Sequence, residues 1–128
     1  MKAFLQLKRS MNRQLVESDA NAVTPVQTEI MIRVQRGETR IADIAVAMQA
    51  SASAVTQHVN NLVQAGFVTK LSSPEDKREY VLSLTAKGAT IIDEKMRSMR
   101  KRVEQLVANL TDAELDEFIK LSNKIAGI

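Results

Sequence analysis

Residues 51–88 read SASAVTQHVNNLVQAGFVTKLSSPEDKREYVLSLTAKG. In the first part Val55, Val59 and Leu62 stand at i, i+4 and i+7, the spacing of one helical face. The spacing predicts a helix from Ala52 to Ala65, with Gly66 as its stop. Ser53, Gln57, Asn60 and Gln64 fall on the opposite face, with Thr56 and Asn61 on its flanks. That face carries no acidic residue and is rich in short hydrogen-bonding groups, which suit base edges and phosphate oxygens. A helix N-terminus also favours phosphate. An ordinary solvated helix would look the same, so α-helical pattern alone leaves both readings open. After Gly66 the period changes. Phe67–Leu71 and Tyr80–Leu84 read as short strands. Between them Ser72–Glu79 is polar, with Pro74 and Asp76 where a turn is expected. Two strands and a charged tip make a β-hairpin.

Upstream, Thr24-Pro25 is a helix start, because Thr caps and Pro suits the first turn. Val26, Ile30 and Val34 give that helix an apolar face, and Gly37 ends it. A short helix follows from Thr39, with Ile41, Ile44, Ala45 and Met48 at helical spacing, then the turn Gln49-Ala50-Ser51. The N-terminal segment reads as a helix from Lys2 to Ser18 with Phe4, Leu7, Met11 and Leu15 on one face, ended by Asp19-Ala20-Asn21. Downstream, Thr85 can cap a long helix. Its Ile92, Met96, Met99, Val103, Leu106 and Leu110 alternate by four and three, a seam for packing along another helix. Thr111-Asp112-Ala113-Glu114 is a capping box that starts a last helix, with Phe118, Leu121, Ile125 and Ile128 as its stripe. Helix, turn, helix and hairpin are the order of a winged helix-turn-helix. The fold class is mainly α (α+β), a single domain over 1–128. Residues 24–88 form its winged helix-turn-helix part, and 1–20 with 89–128 its helical dimerisation part.

Composition narrows the chemistry. The 128 residues include no cysteine and one histidine, His58, so disulfides, thiolate zinc sites and multi-imidazole metal sites are excluded. No second His, no glycine-rich phosphate loop and no carboxylate cluster at ligand spacing supports an enzyme, and no metal or cofactor is expected. The formal charge is +3. No apolar run reaches the roughly 20 residues of a membrane span, and the charged start Met1–Arg9 is unlike a secretory signal. A cytoplasmic location, with no membrane partner, is the expectation.

In its centre the sequence resembles the MarR family of bacterial regulators. Ile41-Ala42-Asp43-Ile44-Ala45-Val46-Ala47-Met48 looks like the helix before that family's recognition helix, and Ser51–Leu62 looks like the recognition helix itself. Gly66-Phe67-Val68 matches its turn into the wing. Ser73-Pro74-Glu75-Asp76-Lys77-Arg78 and Leu84-Thr85-Ala86-Lys87-Gly88 match its wing and the start of its long helix. The resemblance implies a regulator that binds double-stranded DNA as a homodimer on a palindromic operator, a repressor by expectation, with release by a small aromatic effector as a family trait. It implies DNA contacts from Ser51, Ser53, Thr56, Gln57, Asn60 and Asn61 in the major groove. Arg78 would enter the minor groove and Asp76 would hold that arginine or shape the wing, with Lys70 and Lys77 on phosphates. A guanidinium on a hairpin tip suits the negative potential of a narrow minor groove, although Asp76 and Arg78 could simply brace the loop.

The implied dimer interface comprises Phe4, Leu7 and Met11, then Met99, Val103, Leu106 and Leu110, then Phe118, Leu121 and Ile125. The apolar seams agree with it independently; a helical cap within one chain is the alternative. A winged helix used for protein contacts is the other competitor, against which Lys70, Lys77 and Arg78 discriminate. The sequence departs from the family at Gln57, where arginine is frequent; Gln pairs with adenine where Arg favours guanine. His58 replaces a larger apolar or Thr side chain and reads as a satisfied structural residue. The N-terminal helix is short for the family.

Overall fold

The computed structural model describes residues 1–15, 23–76 and 78–128. The elements are α1 (Lys2–Leu15), α2 (Pro25–Gln35), α3 (Ile41–Ala47), α4 (Ala52–Gln64), β1 (Val68–Ser72), β2 (Tyr80–Leu84), α5 (Ala86–Leu106) and α6 (Asp112–Ala126). Residues 16–18, expected as the end of the first helix, lie outside the described residues, as does the expected break at 19–21. The chain divides into two compact units, Asp19–Lys95 and the pair Met1–Ser18 with Met96–Ile128.

The first unit is the winged helix. Thr24 caps α2 with a complete capping box: its hydroxyl accepts from Gln27 N–H at 3.2 Å, and Gln27 Oε1 accepts from Thr24 N–H at 3.1 Å. This turns Gln27, Ile30, Met31 and Val34 inward. Val26, expected on the apolar face, is 41% exposed; it sits about 100° round the helix from Gln27, and Met31 takes the inward place. Beyond the end of α2, Gly37 adopts φ +100, a left-handed turn that suits glycine. Arg33 ties that end to the following loop through Glu29 (3.0 Å) and Glu38 (3.1 Å). The hydrogen bonds to Glu29 and then Glu38 hold its guanidinium above the ordinary range.

The short helix α3 begins at Ile41 rather than at Thr39. Thr39 is used by the sheet instead: its carbonyl accepts from Leu82 N–H at 2.8 Å, and Arg40 bridges to Val81. Residues 39 and 40 thus extend the hairpin's ladder by one short rung. β1 and β2 pair antiparallel with Val68 opposite Leu84 and Ser72 opposite Tyr80. The first strand is shifted by one residue from Phe67–Leu71, because Phe67 is occupied by the α5 junction described below. Ile44, Val55, Val59, Leu62, Val68, Leu82 and Ile92 are all at most 1% exposed and fill one core with Ile30 and Met31. Each such side chain is worth about 1.5–3 kcal/mol of transfer free energy.

Ile92 therefore belongs to the winged-helix core, not to the seam read along α5. Leu110 also falls outside α5, which ends at Leu106. In the second unit α6 is capped as expected. Thr111 Oγ1 accepts from Glu114 N–H at 3.2 Å, and Glu114 Oε1 accepts from Thr111 N–H at 3.0 Å. Gly127, in the left-handed conformation, closes it, leaving Ile128 beyond the helix. No described side chain of this unit is buried. Among the described residues no helix is long and apolar enough to cross a membrane.

Candidate nucleic-acid interface

Three inward residues, Val55, Val59 and Leu62, fix the rotation of α4. With them buried, Ser53, Gln57, Asn60, Asn61 and Gln64 are exposed, and Thr56 is half-buried on the flank. Ser51 is the N-cap, its hydroxyl oxygen accepting from Ala54 N–H at 3.1 Å. The Thr56 hydroxyl donates to the Ala52 carbonyl at 2.7 Å, which leaves its oxygen lone pairs to face outward. α4 contains no Asp, Glu, Lys or Arg, so its outer face is a row of neutral donors and acceptors.

The turn into α4 has a feature the sequence pattern does not signal. Gln49 sits at φ +52, a conformation sparsely used by residues other than glycine. It lets the chain reverse between α3 and α4 within four residues.

The wing tip is built by short side-chain-to-backbone bonds. Asp76 Oδ1 accepts from Arg78 N–H at 2.9 Å, an Asx-type turn that shapes the loop. Of the two roles left open for Asp76, this is the one the geometry displays. Ser73 is buried, and its hydroxyl accepts from Glu75 N–H at 3.3 Å. Glu79 reaches Arg40 at 3.0 Å and anchors the wing base to the start of α3. Arg78 is exposed at the tip. Lys77 lies outside the described residues.

Lys70 is held by two neighbours. Its Nζ donates to Asn60 Oδ1 at 3.5 Å and stands 4.3 Å over the Tyr80 ring. A cation over an aromatic face is attracted by the ring quadrupole. Because an ammonium only donates, Asn60 must turn its oxygen to Lys70 and its amide NH2 away. Residue spacing alone does not signal this Tyr80–Lys70–Asn60 chain. The hairpin register contains its signal: with Ser72 opposite Tyr80, Lys70 is the diagonal neighbour of Tyr80 on one face of the sheet.

His58 departs from its expected satisfied state. Its Nδ1 is buried without a hydrogen-bond partner among the described residues. It stands next to inward-facing Val59, where the helix backbone spends its own groups on the ladder and offers nothing to a ring nitrogen.

The junction behind the wing accounts for the Leu84–Gly88 motif. Thr85 Oγ1 donates to the Gly66 carbonyl at 2.6 Å, and Thr85 N–H donates to the Phe67 carbonyl at 3.0 Å. Thr85 Oγ1 also accepts from Gly88 N–H at 3.0 Å, capping α5. Lys87 donates to the Ala65 carbonyl at 3.1 Å, with its Nζ 4.9 Å over the Phe67 ring. One four-residue segment thus clamps the end of α4 and the entry to β1, which sets α4 and the hairpin in fixed relation.

Residues 23–80, which contain the whole of this helix-turn-helix and most of the hairpin, match the MarR family. The similarity to the MarR family is carried by this segment. Over 94% of its length it is 25% identical to the HTH-type transcriptional repressor MdtR of Bacillus subtilis, of which it covers 79%. Its fold matches wild-type MarR of E. coli in the apo form with a TM-score of 0.79, at 22% identity, covering 97% of this chain and 93% of that one. A mutant E. coli MarR complexed with operator DNA has the same fold, with a TM-score of 0.75, 22% identity, and coverage of 97% and 91%. The fold shared with these structures is the six helices and two-stranded sheet of the described residues.

None of the residues expected at a dimer interface is buried. Phe4 (64% exposed), Leu7, Met99, Val103, Leu110, Phe118, Leu121 and Ile125 (88%) are all exposed in the single chain, and Met11 and Leu106 are half-buried. Met96, Met99, Val103, Val107, Leu115 and Phe118 line part of an apolar groove of about 430 Å³ between α5 and α6.

Proposed function

We propose that this MarR-type transcriptional regulator binds double-stranded DNA as a homodimer at a palindromic operator and acts as a repressor. The observation that carries the reading is α4. A helix pinned by three buried residues presents Ser53, Gln57, Asn60 and Asn61 outward with no carboxylate among them. Such a face can enter a major groove without repelling phosphate. Arg78 on the adjacent hairpin supplies a second contact suited to the minor groove. The dimer is supported by the second unit, whose described side chains find no core within one chain.

Selection of bound duplexes from a random pool tests this. The expected product is an inverted repeat with half-sites about 10 base pairs apart, centre to centre, or a multiple of that spacing, bound by two chains. A single asymmetric site bound by one chain refutes it. Release by a small aromatic effector is part of the same reading; its test is loss of operator binding on titration with a panel of small aromatic and phenolic molecules.

A further inference from the structure

The positive charge of the chain is not where the DNA-reading elements are. Asp19–Lys95, the winged-helix unit, holds eight Lys and Arg against nine Asp and Glu, a net charge of −1. The other unit holds ten against six, a net charge of +4. Within the winged helix the balance is no better at the surface that reads DNA. α4 is uncharged, and Ser72–Tyr80 carries Lys77 and Arg78 against Glu75, Asp76 and Glu79. Yet binding to duplex DNA is driven largely by cations that displace condensed counterions.

Residues 96–106 of α5 hold four cations against Glu104, whereas α1 holds four with no carboxylate to offset them. Lys2, Arg9 and Arg13 stand at i, i+7 and i+11 and share one face of the helix. All three are exposed. Phe4, Leu7 and Met11 occupy the opposite face, and Lys8 lies between the two. The helix has four cations and no carboxylate. We infer that the Lys2–Arg9–Arg13 face of α1 is a phosphate-backbone surface, which attracts duplex DNA while α4 and the wing read it. The inference rests on the DNA-binding reading above. The apolar face is then free to meet a second chain, so both faces of α1 have an occupant. A helix of this composition also fits an anionic membrane surface. The near-neutral reading head of a DNA-binding chain favours the polyanion.

The salt dependence of operator binding measures the charge engaged, because log K falls with log salt at about 0.9 per neutralised phosphate. Lys70, Lys77 and Arg78 from two chains would give a slope of about −5. Engaging the α1 face on both chains adds up to about 5 more. The experiment compares the full-length wild type with Lys2→Gln/Arg9→Gln/Arg13→Gln on a selected operator duplex carrying long flanks. Gln keeps helix propensity, and sedimentation checks that the variant's oligomeric state is unchanged. The expected result is a slope shallower by about 3–5, with an on-rate reduced at low salt. Arg9→Lys/Arg13→Lys should keep the wild-type slope, since charge rather than geometry is used. A triple variant whose slope stays within about 1 of wild type, with operator binding intact, overturns the inference alone. A wild type that selects no duplex brings down the DNA-binding reading itself. Wild-type binding to phosphatidylglycerol vesicles that the triple variant loses, with the DNA slope unchanged, assigns the face to a membrane and also overturns the inference.

Discussion

Gly88 carries a constraint that its φ does not reveal. A Cβ built there would lie 2.1 Å from the Phe67 carbonyl oxygen and 2.9 Å from its carbonyl carbon. Both are backbone atoms held by Thr85, so neither can yield as a side-chain tip would. Gly88→Ala should therefore destabilise the protein by about 3 kcal/mol or more, at the upper end of overpacking costs, with chemical denaturation as the measurement. A cost within 0.5 kcal/mol, as for an ordinary surface change, would mean that α5 does not approach the turn this closely. At Arg78 the opposite pattern is expected. Arg78→Ala should cost on the order of 1–3 kcal/mol of DNA affinity and leave the melting temperature unchanged, because the side chain is exposed and the wing is shaped by Asp76 through the backbone. Unchanged affinity would remove the minor-groove role. These two residues also mark what the sequence discloses. The motif Leu84–Gly88 is visible as letters, and Arg78 is visible as a charge on a turn. What is invisible is that the motif bonds to residues 65–67, about 20 positions earlier. Lys70 is likewise held by Asn60 and Tyr80 rather than left free. Local spacing reports faces of helices and strands; it does not report which distant carbonyl a hydroxyl will find.

Element boundaries follow the same division. The capped starts of α2 and α6 were legible, because Thr24-Pro25 and Thr111–Glu114 satisfy the first-turn N–H groups within four residues. The start of α3 was not, because Thr39 and Arg40 are claimed by β2 across the fold. Nor does sequence announce the left-handed Gln49 in the α3–α4 turn. Gln49→Gly should stabilise the protein by up to about 1 kcal/mol, the relief of a left-handed conformation less the entropy of glycine. A loss of stability in thermal melts would show that the Gln49 side chain matters more than its φ. The α6 start gives a pH prediction. Hydrogen bonds from the Thr111 backbone, then from its side chain, hold the Glu114 carboxyl below its ordinary value. Its folded pKa is thus lower than its unfolded one. The stabilisation it provides is complete above the unfolded value of about 4.5 and is lost as pH falls through the depressed folded value. Helicity of the wild type should decline through that window more than that of Glu114→Gln, which carries no titrating group there. Parallel acid titrations by circular dichroism decide it.

At the scale of the whole molecule the decisive contrast is between a unit whose described side chains form a core and a unit whose described side chains form none. Asp19–Lys95 buries aliphatic side chains from every one of its helices and both strands. In Met1–Ser18 with Met96–Ile128, Phe4, Met99, Val103, Phe118, Leu121 and Ile125 stay 40% or more exposed. Isolated helices of this length are marginal in water and are ordinarily stabilised by burying an apolar face. The capping box and the terminal Gly127 set the ends of α6 but supply no such burial. A second copy would supply it, and a two-fold dimer would use the same faces twice. Val103→Glu/Phe118→Glu places two carboxylates per chain, four in the assembly, on that surface. Each buried apolar side chain is worth about 1.5–3 kcal/mol, and each uncompensated buried charge adds a penalty of several kcal/mol. Even after the cost of association, the change should shift sedimentation from dimer to monomer at micromolar concentrations. The winged-helix unit, with its own core, should keep its cooperative melt. Operator affinity should fall by far more than either variant position could contribute as a contact, because two half-site readers joined in one particle act through effective concentration. A soluble dimer with wild-type operator affinity would place the interface elsewhere. A monomer that still bound an inverted repeat at wild-type affinity would show that each winged helix reads DNA without its partner.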